Sequence, residues 1–275
     1  MNVLWNKKIE LENLWLPSNF GVFFKRDERV AYYFRRSFGQ TDGVFSILDN
    51  ETEPKMLYSS AQDEMLPLPG NWEIVETLQD PYLLVSEECG LNLKSNVFSH
   101  KISEQLQMAY RQQHRPAKYY VDEPKRLGEF TIHHKGNWGY VCMKENAKLW
   151  EFTGRAYLYT EMVRWKDRLF FGTGGDGGYF YVLDINNGVP LASIKTGGTG
   201  SFVYVDNVCY VLKNEKKAKL LSVDLSDGKI IGECELPGIA ALDSRVTMID
   251  DHVHAITFNF SRSKPVGFTW SCVKI

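Results

Sequence analysis

The chain has 275 residues, 44% of them hydrophobic and 13% aromatic, which is enough to build one closed all-β domain with a large core. Its 34 acidic and 32 basic residues give a formal charge of −2, so no bulk field draws in nucleic acid or an anionic membrane, and neither is an expected partner. No stretch approaches the roughly 20 apolar residues that cross a bilayer, and the N-terminus MNVLWNKKIELENLWL lacks the uninterrupted apolar run of a secretory signal. The five cysteines, Cys89, Cys142, Cys209, Cys234 and Cys272, are scattered and lack CxxC spacing, as expected of buried thiols in a reduced cytoplasmic protein.

In chain order, residues 2–8 (NVLWNKK) form a lone strand whose Trp5 matches Trp150 in Lys148–Gly154, KLWEFTG. Residues 20–58 read as strand–turn–strand–turn–strand, with turns around Asp27 and Asp49. Residues 71–95 begin a further set: NWEIVETL, a turn at Asp80-Pro81, then YLLVSEE and LNLKS. Over 97–115 the period changes. Ile102, Leu106, Ala109 and Tyr110 recur at helical spacing and Pro116 closes the run, so a helical insertion is expected there. Strands resume with FTIHHK, WGYVCMK and KLWEFTG.

The next stretch repeats itself. Trp165–Ile194 and Val205–Leu236 share a spacing near 40: Asp184 with Asp224, Gly188 with Gly228, and Asp167 with Asp206 at 39. A period of that length, filled with short β-rich runs between turn residues, predicts four-stranded blades of a β-propeller. The C-terminal copy, with strands RVTMI, HVHAITF and GFTWSCVKI, stops before its fourth strand. The N-terminal strand is expected to complete it and remove the open edges. The expected fold is a single all-β propeller domain over 1–275, of about six four-stranded blades with five or seven open, interrupted by the insertion at 97–115.

Asp167–Gly188 (DRLFFGTGGDGGYFYVLDINNG) and Lys148–Gly154 resemble the repeat of pyrroloquinoline-quinone-type propellers. In that family a strand ending in Gly leads to a glycine loop, a Leu-Asp strand, a turn ending in Gly and a Leu-Trp strand. The resemblance covers residues 139–237. It implies the fold, and a scaffold role more than a redox one: the family's dehydrogenases use a vicinal disulfide, and no two cysteines are adjacent here.

Sites of chemistry are few. GGDGG at Gly174–Gly178 precedes the strand YFYVLD and not a helix, so it reads as a hairpin and not a phosphate cradle. His252 and His254 share a strand face without a spaced third ligand. No G-x-S-x-G elbow is present, and GTGS at Gly198–Ser201 lacks its context. No catalytic residue, cofactor or metal is therefore assigned.

Blade geometry sorts the loops. Turns between first and second and between third and fourth strands emerge at one end and collect aspartates: Asp27, Asp49, Asp80, Asp167, Asp184, Asp206, Asp224, Asp227, Asp250 and Asp251. Loops between second and third strands emerge at the other and collect Arg35, Arg36, Lys213, Lys216, Lys217, Lys219, Arg262 and Lys264. Turn chemistry explains the aspartates but favours no cation. The expected protein-binding residues are accordingly Arg35, Arg36, Asp176, Lys213, Lys216, Lys217, Arg262 and Lys264. The expected function is a non-enzymatic propeller binding another protein, as a cytoplasmic bacterial antidote (immunity protein) neutralising a toxin domain. The alternative is an enzyme or small-molecule binder using the central channel.

Overall fold

The structure is a computed structural model. It describes residues 1–10, 21–26, 29–38, 43–49, 55–59, 64–65, 73–74, 82–84, 90–92, 97–99, 103–104, 124–136, 138–174, 177–198, 200–241 and 244–275. Among the described residues the elements are strands paired antiparallel, and the chain divides into two compact units.

The first unit holds Met1–Ile9, Arg115–Phe260 and Phe268–Ile275. Its first sheet runs β11 (Lys125–Leu127), β12 (Phe130–Lys135), β13 (Gly139–Lys144) and β14 (Ala147–Thr153) in chain order. The second is β16 (Val163–Trp165), β17 (Arg168–Gly174), β18 (Tyr179–Asp184) and β19 (Pro190–Lys195), with β15 (Tyr157–Leu158) sharing the edge of β17. The third is β20 (Phe202–Val205), β21 (Val208–Asn214), β22 (Ala218–Asp224) and β23 (Ile230–Leu236). The fourth takes β24 (Arg245–Ile249), β25 (His252–Ser261) and β26 (Lys264–Lys274) and sets β1 (Asn2–Glu10) beside β26. The N-terminal strand thus supplies the fourth strand that the C-terminal copy lacks.

These four sheets pack face to face in chain order. Phe130, Ile132, Tyr140 and Trp150 of the first bury against Leu169, Phe171, Tyr181 and Leu183 of the second. Phe170, Phe180 and Val182 then meet Cys209, Val211, Leu221 and Val223. Leu212, Leu220 and Leu236 in turn meet Val246, Val253, Ala255 and Val273. Each fully buried side chain of this size contributes about 1.5–3 kcal/mol, so the stack is held by its layered apolar faces.

The echo in the sequence is an echo in space at a constant spacing of 40. Both copies place a bulge in the third strand, between Val182 and Leu183 and between Ser222 and Val223. The first sheet carries its bulge between Cys142 and Met143, a further 40 residues back, and is a third copy. In the first-to-second-strand turns the spacing corrects the expected pairing of Asp167 with Asp206. Lys166 (φ 52°) matches Asp206 (φ 53°), and the carbonyls of Asp167 and Asn207 receive the amides of Ile185 and Leu225.

The second unit holds Glu10–His114 and Ser261–Gly267. Here β2 (Gly21–Arg26), β3 (Arg29–Phe38), β4 (Gly43–Asp49) and β5 (Lys55–Ser59) form the meander expected over 20–58. It is widened to six strands by β6 (Glu64–Met65) and by β7 (Glu73–Ile74), which joins β2 instead of beginning a new sheet. Phe23 and Tyr32 are fully buried with ring centroids 4.7 Å apart. A three-stranded sheet follows from β8 (Tyr82–Leu84), β9 (Gly90–Asn92) and β10 (Val97–Ser99). Val97–Ser99, expected to open the helix, is therefore strand, because its register with Gly90–Asn92 satisfies the backbone across a hairpin. Most of the remainder of 97–115 lies outside the described residues.

Candidate binding surface

Both ends of the first unit's sheets are built from tight connections, but the two ends do different work. At the turn end, aspartate closes the backbone. The Asp184 carboxylate accepts from Asn186 N at 2.8 Å, its carbonyl accepts from Gly188 N, and its own amide donates to Val189 O. Asp224 repeats this with Ser226, Gly228 and Lys229. The Ser226 hydroxyl and amide hold the Asp224 carboxyl below its usual range, and the Lys229 ammonium does the same for Asp227. Asp184 also lies 3.5 Å from the Arg168 guanidinium, which donates to Ser226 O of the next sheet. These carboxylates serve the turn first and present little uncompensated charge.

The first and second sheets are clamped at this end by Trp150. Its indole N–H donates to Ile185 O at 2.7 Å, and its ring covers Gly188 so closely that a Cβ there would lie 2.6 Å from it. Gly188 also has φ +72°, a conformation glycine adopts at little cost.

At the opposite end lie the loops between second and third strands and the connectors between sheets. Lys213 is the penultimate residue of β21, Lys216 and Lys217 occupy the hairpin tip, and Lys219 is in β22. They do not form a bare cationic patch. Lys213 pairs with Glu215 at 2.5 Å, Lys217 with Glu235 at 2.5 Å, and Lys219 with both Glu215 and Glu233 at 3.2 Å. Cross-strand register brings the glutamates of β23 beside the lysines, which spacing along one strand does not reveal.

The other expected cations are distributed differently. Arg35 and Arg36 lie within β3, not in a loop: Arg35 pairs with Phe45, and the bulge between Arg35 and Ser37 takes up Arg36. Arg262 (φ 47°) forms the turn between β25 and β26 with Ser263, and Lys264 begins β26. Arg262, Lys264, Arg35 and Arg36 belong to the second unit, and Lys213, Lys216 and Lys217 to the first. Asp176 lies outside the described residues.

Sequence reasoning missed an aromatic and cationic cluster at the same end, where the connector after β14 crosses β18. The Arg155 amide donates to Tyr181 Oη and its guanidinium to Tyr179 Oη, each at 3.1 Å. The guanidinium carbon stands 5.5 Å from the centre of the Tyr179 ring, and the Tyr179 and Tyr181 rings stack at 5.7 Å. Behind them Phe152, Phe171 and Tyr140 continue the ring packing. Tyr140 is 1% exposed and, among the described residues, its hydroxyl has no hydrogen-bond partner. Burial raises the Tyr140 and Tyr181 phenols above their ordinary pKa, so both keep their protons. The visible signal was Tyr-x-Tyr at 179 and 181, which places both rings on one strand face.

Beside it, Lys135, Trp138, Gly139, Glu151 and Thr153 line an open pocket of about 370 Å³, with Trp138 51% exposed. Lys135 and Lys148 hold the Glu151 carboxyl down to about 2.

The histidine pair has a structural use. Trp270 Nε1 donates to His254 Nδ1 at 2.9 Å, the Trp5 ring packs edge-on against Trp270, and Cys272 Sγ lies 3.9 Å from His254 Nε2. Burial pushes His254 down to about 4, so it is a neutral core residue. His252 pairs with Asp251 at 2.7 Å. Among the described residues no three His, Cys, Asp or Glu side chains converge as metal ligands, and no helix is long and apolar enough to cross a membrane.

No family model and no curated protein matches the chain. Solved structures do. A europium-containing methanol dehydrogenase aligns at 16% identity with a TM-score of 0.34, over 46% of this chain and 26% of its own, so the chain spans about a quarter of that enzyme. BamB from Moraxella catarrhalis aligns at 8% identity and TM-score 0.37, over 93% of this chain and 82% of its own. The computationally designed Ika4 protein aligns at 10% and 0.39, over 55% and 89%. The first two are PQQ-like β-propeller proteins, the class that the repeat in Asp167–Gly188 resembles. These likenesses are too distant to carry a role to this chain.

Proposed function

We propose that the chain is a protein-binding β-propeller and not an enzyme. Its four stacked sheets are consecutive blades of a ring of about six, which the N-terminal strand helps to close. The observation that supports this reading is the contrast between the two ends of the sheets. One end is given over to turn closure, while the connector end gathers exposed Trp138, Arg155 and the Lys213–Lys219 hairpin on short, hydrogen-bonded loops. Loops fixed by the blades lose little entropy when a partner docks, which favours tight protein binding. Within that reading the chain acts in the cytoplasm as an antidote, covering the active site of a toxin domain.

Affinity purification from the native host tests the binding, and co-expression tests the antidote. A stoichiometric protein partner that arrests growth alone, and is silenced by this chain, is the expected result. Recovery of no stoichiometric partner contradicts the binding reading. A partner harmless by itself contradicts the antidote and leaves a scaffold.

A further inference from the structure

The Arg155 cluster holds more hydrogen-bond donors than acceptors. The hydroxyl oxygens of Tyr179 and Tyr181 each accept a hydrogen bond from Arg155, so each phenol keeps its own proton to give. Unmade hydrogen bonds at buried polar groups are costly and uncommon in folded chains. Among the described residues no carboxylate pairs with the Arg155 guanidinium.

We infer that Arg155 and Tyr179 form a carboxylate-binding subsite, with Tyr181 as a positioning residue that fixes the Arg155 backbone. One guanidinium balances one negative charge, and neutral phenols add donors without adding charge. That arithmetic suits a monoanionic carboxylate and leaves a phosphate dianion undercompensated. Resting on the protein-binding reading, the source is an aspartate or glutamate side chain on the partner. An acidic side chain reaching Arg155 exchanges water for charge-assisted hydrogen bonds at the exposed guanidinium and the half-buried phenol.

The test uses the full chain and two end-blocked hexapeptides, hexaglutamate and hexaglutamine, with glutarate as a free dicarboxylate, each titrated by calorimetry. The wild-type chain binds hexaglutamate and not hexaglutamine. Arg155→Gln and Tyr179→Phe each weaken the interaction about tenfold, the loss expected for one charge-assisted hydrogen bond, while Lys229→Gln, at the turn end, does not. Unchanged thermal melting shows that the variants fold. Equal binding of the two peptides, or equal losses in Arg155→Gln and Lys229→Gln, overturns the subsite. Glutarate binding as tightly as the peptide overturns the partner side chain as its source. Hexaglutamate binding with no stoichiometric partner in the host supports the subsite while the protein-binding reading fails.

Discussion

The sheet β16–β19 and the sheet β20–β23 share one backbone and differ at one end. Strand bounds agree to within one residue, and bulges, turn hydrogen bonds and the positive-φ positions of the turn end coincide, at a constant offset of 40 residues. At the connector end the side chains diverge. In the first copy Gly172 and Gly200 meet backbone to backbone, where an added Cβ on Gly172 would lie 2.2 Å from a carbonyl oxygen. Forty residues on stand Leu212 and Ala240, both buried in an aliphatic core. Tyr179 and Tyr181, with their phenols on Arg155, give way to Lys219, engaged with two glutamates, and to buried Leu221. The turn end is constrained because it builds the sheet. Variation collects where the scaffold does not need it, and that is where binding chemistry can be placed.

The copies also differ in what covers the turn glycine. Trp150 lies over Gly188, whereas Ala192 lies over Gly228, with its Cβ 2.8 Å from where a Gly228 Cβ would stand. Trp150→Ala should break this asymmetry most severely, costing about 3–5 kcal/mol in chemical denaturation, since it removes a buried indole and leaves the Ile185 carbonyl unpaired. Loss of less than about 1 kcal/mol would show that the clamp is not a clamp.

The last sheet has its own aromatic lock, and acid is the tool that opens it. His254 is neutral in the fold, with His252 on its own strand, Asp250 in the turn before it, Trp270 and Cys272 on β26 and Trp5 on β1 around it. Its folded pKa of about 4 lies below the ordinary 6.5, so the unfolded chain binds the extra proton. Stability is therefore whole above about pH 6.5 and lost as pH falls towards 4, by about 3 kcal/mol from this residue. Urea denaturation of wild type and His254→Gln across that window should show the variant with the shallower slope, and parallel slopes would contradict the assignment.

Gly172→Ala should cost about 1–3 kcal/mol by forcing the β17 backbone from Gly200, whereas Leu212→Ala only deletes atoms from a core. The smallest effects belong to the shared turn. Asp184→Ala and Asp224→Ala should each lose about 1 kcal/mol and by similar amounts, because both carboxylates accept the same backbone bond. Unequal losses beyond the Arg168 pairing of Asp184 would mean that the copies are less alike than their hydrogen bonds.

The sequence made the scaffold legible wherever turn residues stood at fixed offsets between alternating runs. FTIHHK and RVTMI coincide with β12 and β24, and Trp5 pointed to the place of β1 beside β26. What it hid were relations across strands. The β23 glutamates that pair with Lys217 and Lys219 lie 14 to 18 residues away, and Arg155 and Tyr179 meet from separate segments 24 residues apart. Arg35 and Arg36 looked like loop cations because charge in a long strand next to a bulge reads as a break.

The central claim, that chemistry resides at the connector end and the turn end only builds, is tested most directly by NMR on tyrosine- and arginine-labelled protein titrated with hexaglutamate. The account predicts that resonances of Arg155, Tyr179 and Tyr181 shift with a single affinity while Tyr32, Tyr204 and Arg168 stay fixed. Shifts centred on Arg168, or none at Arg155, would contradict it.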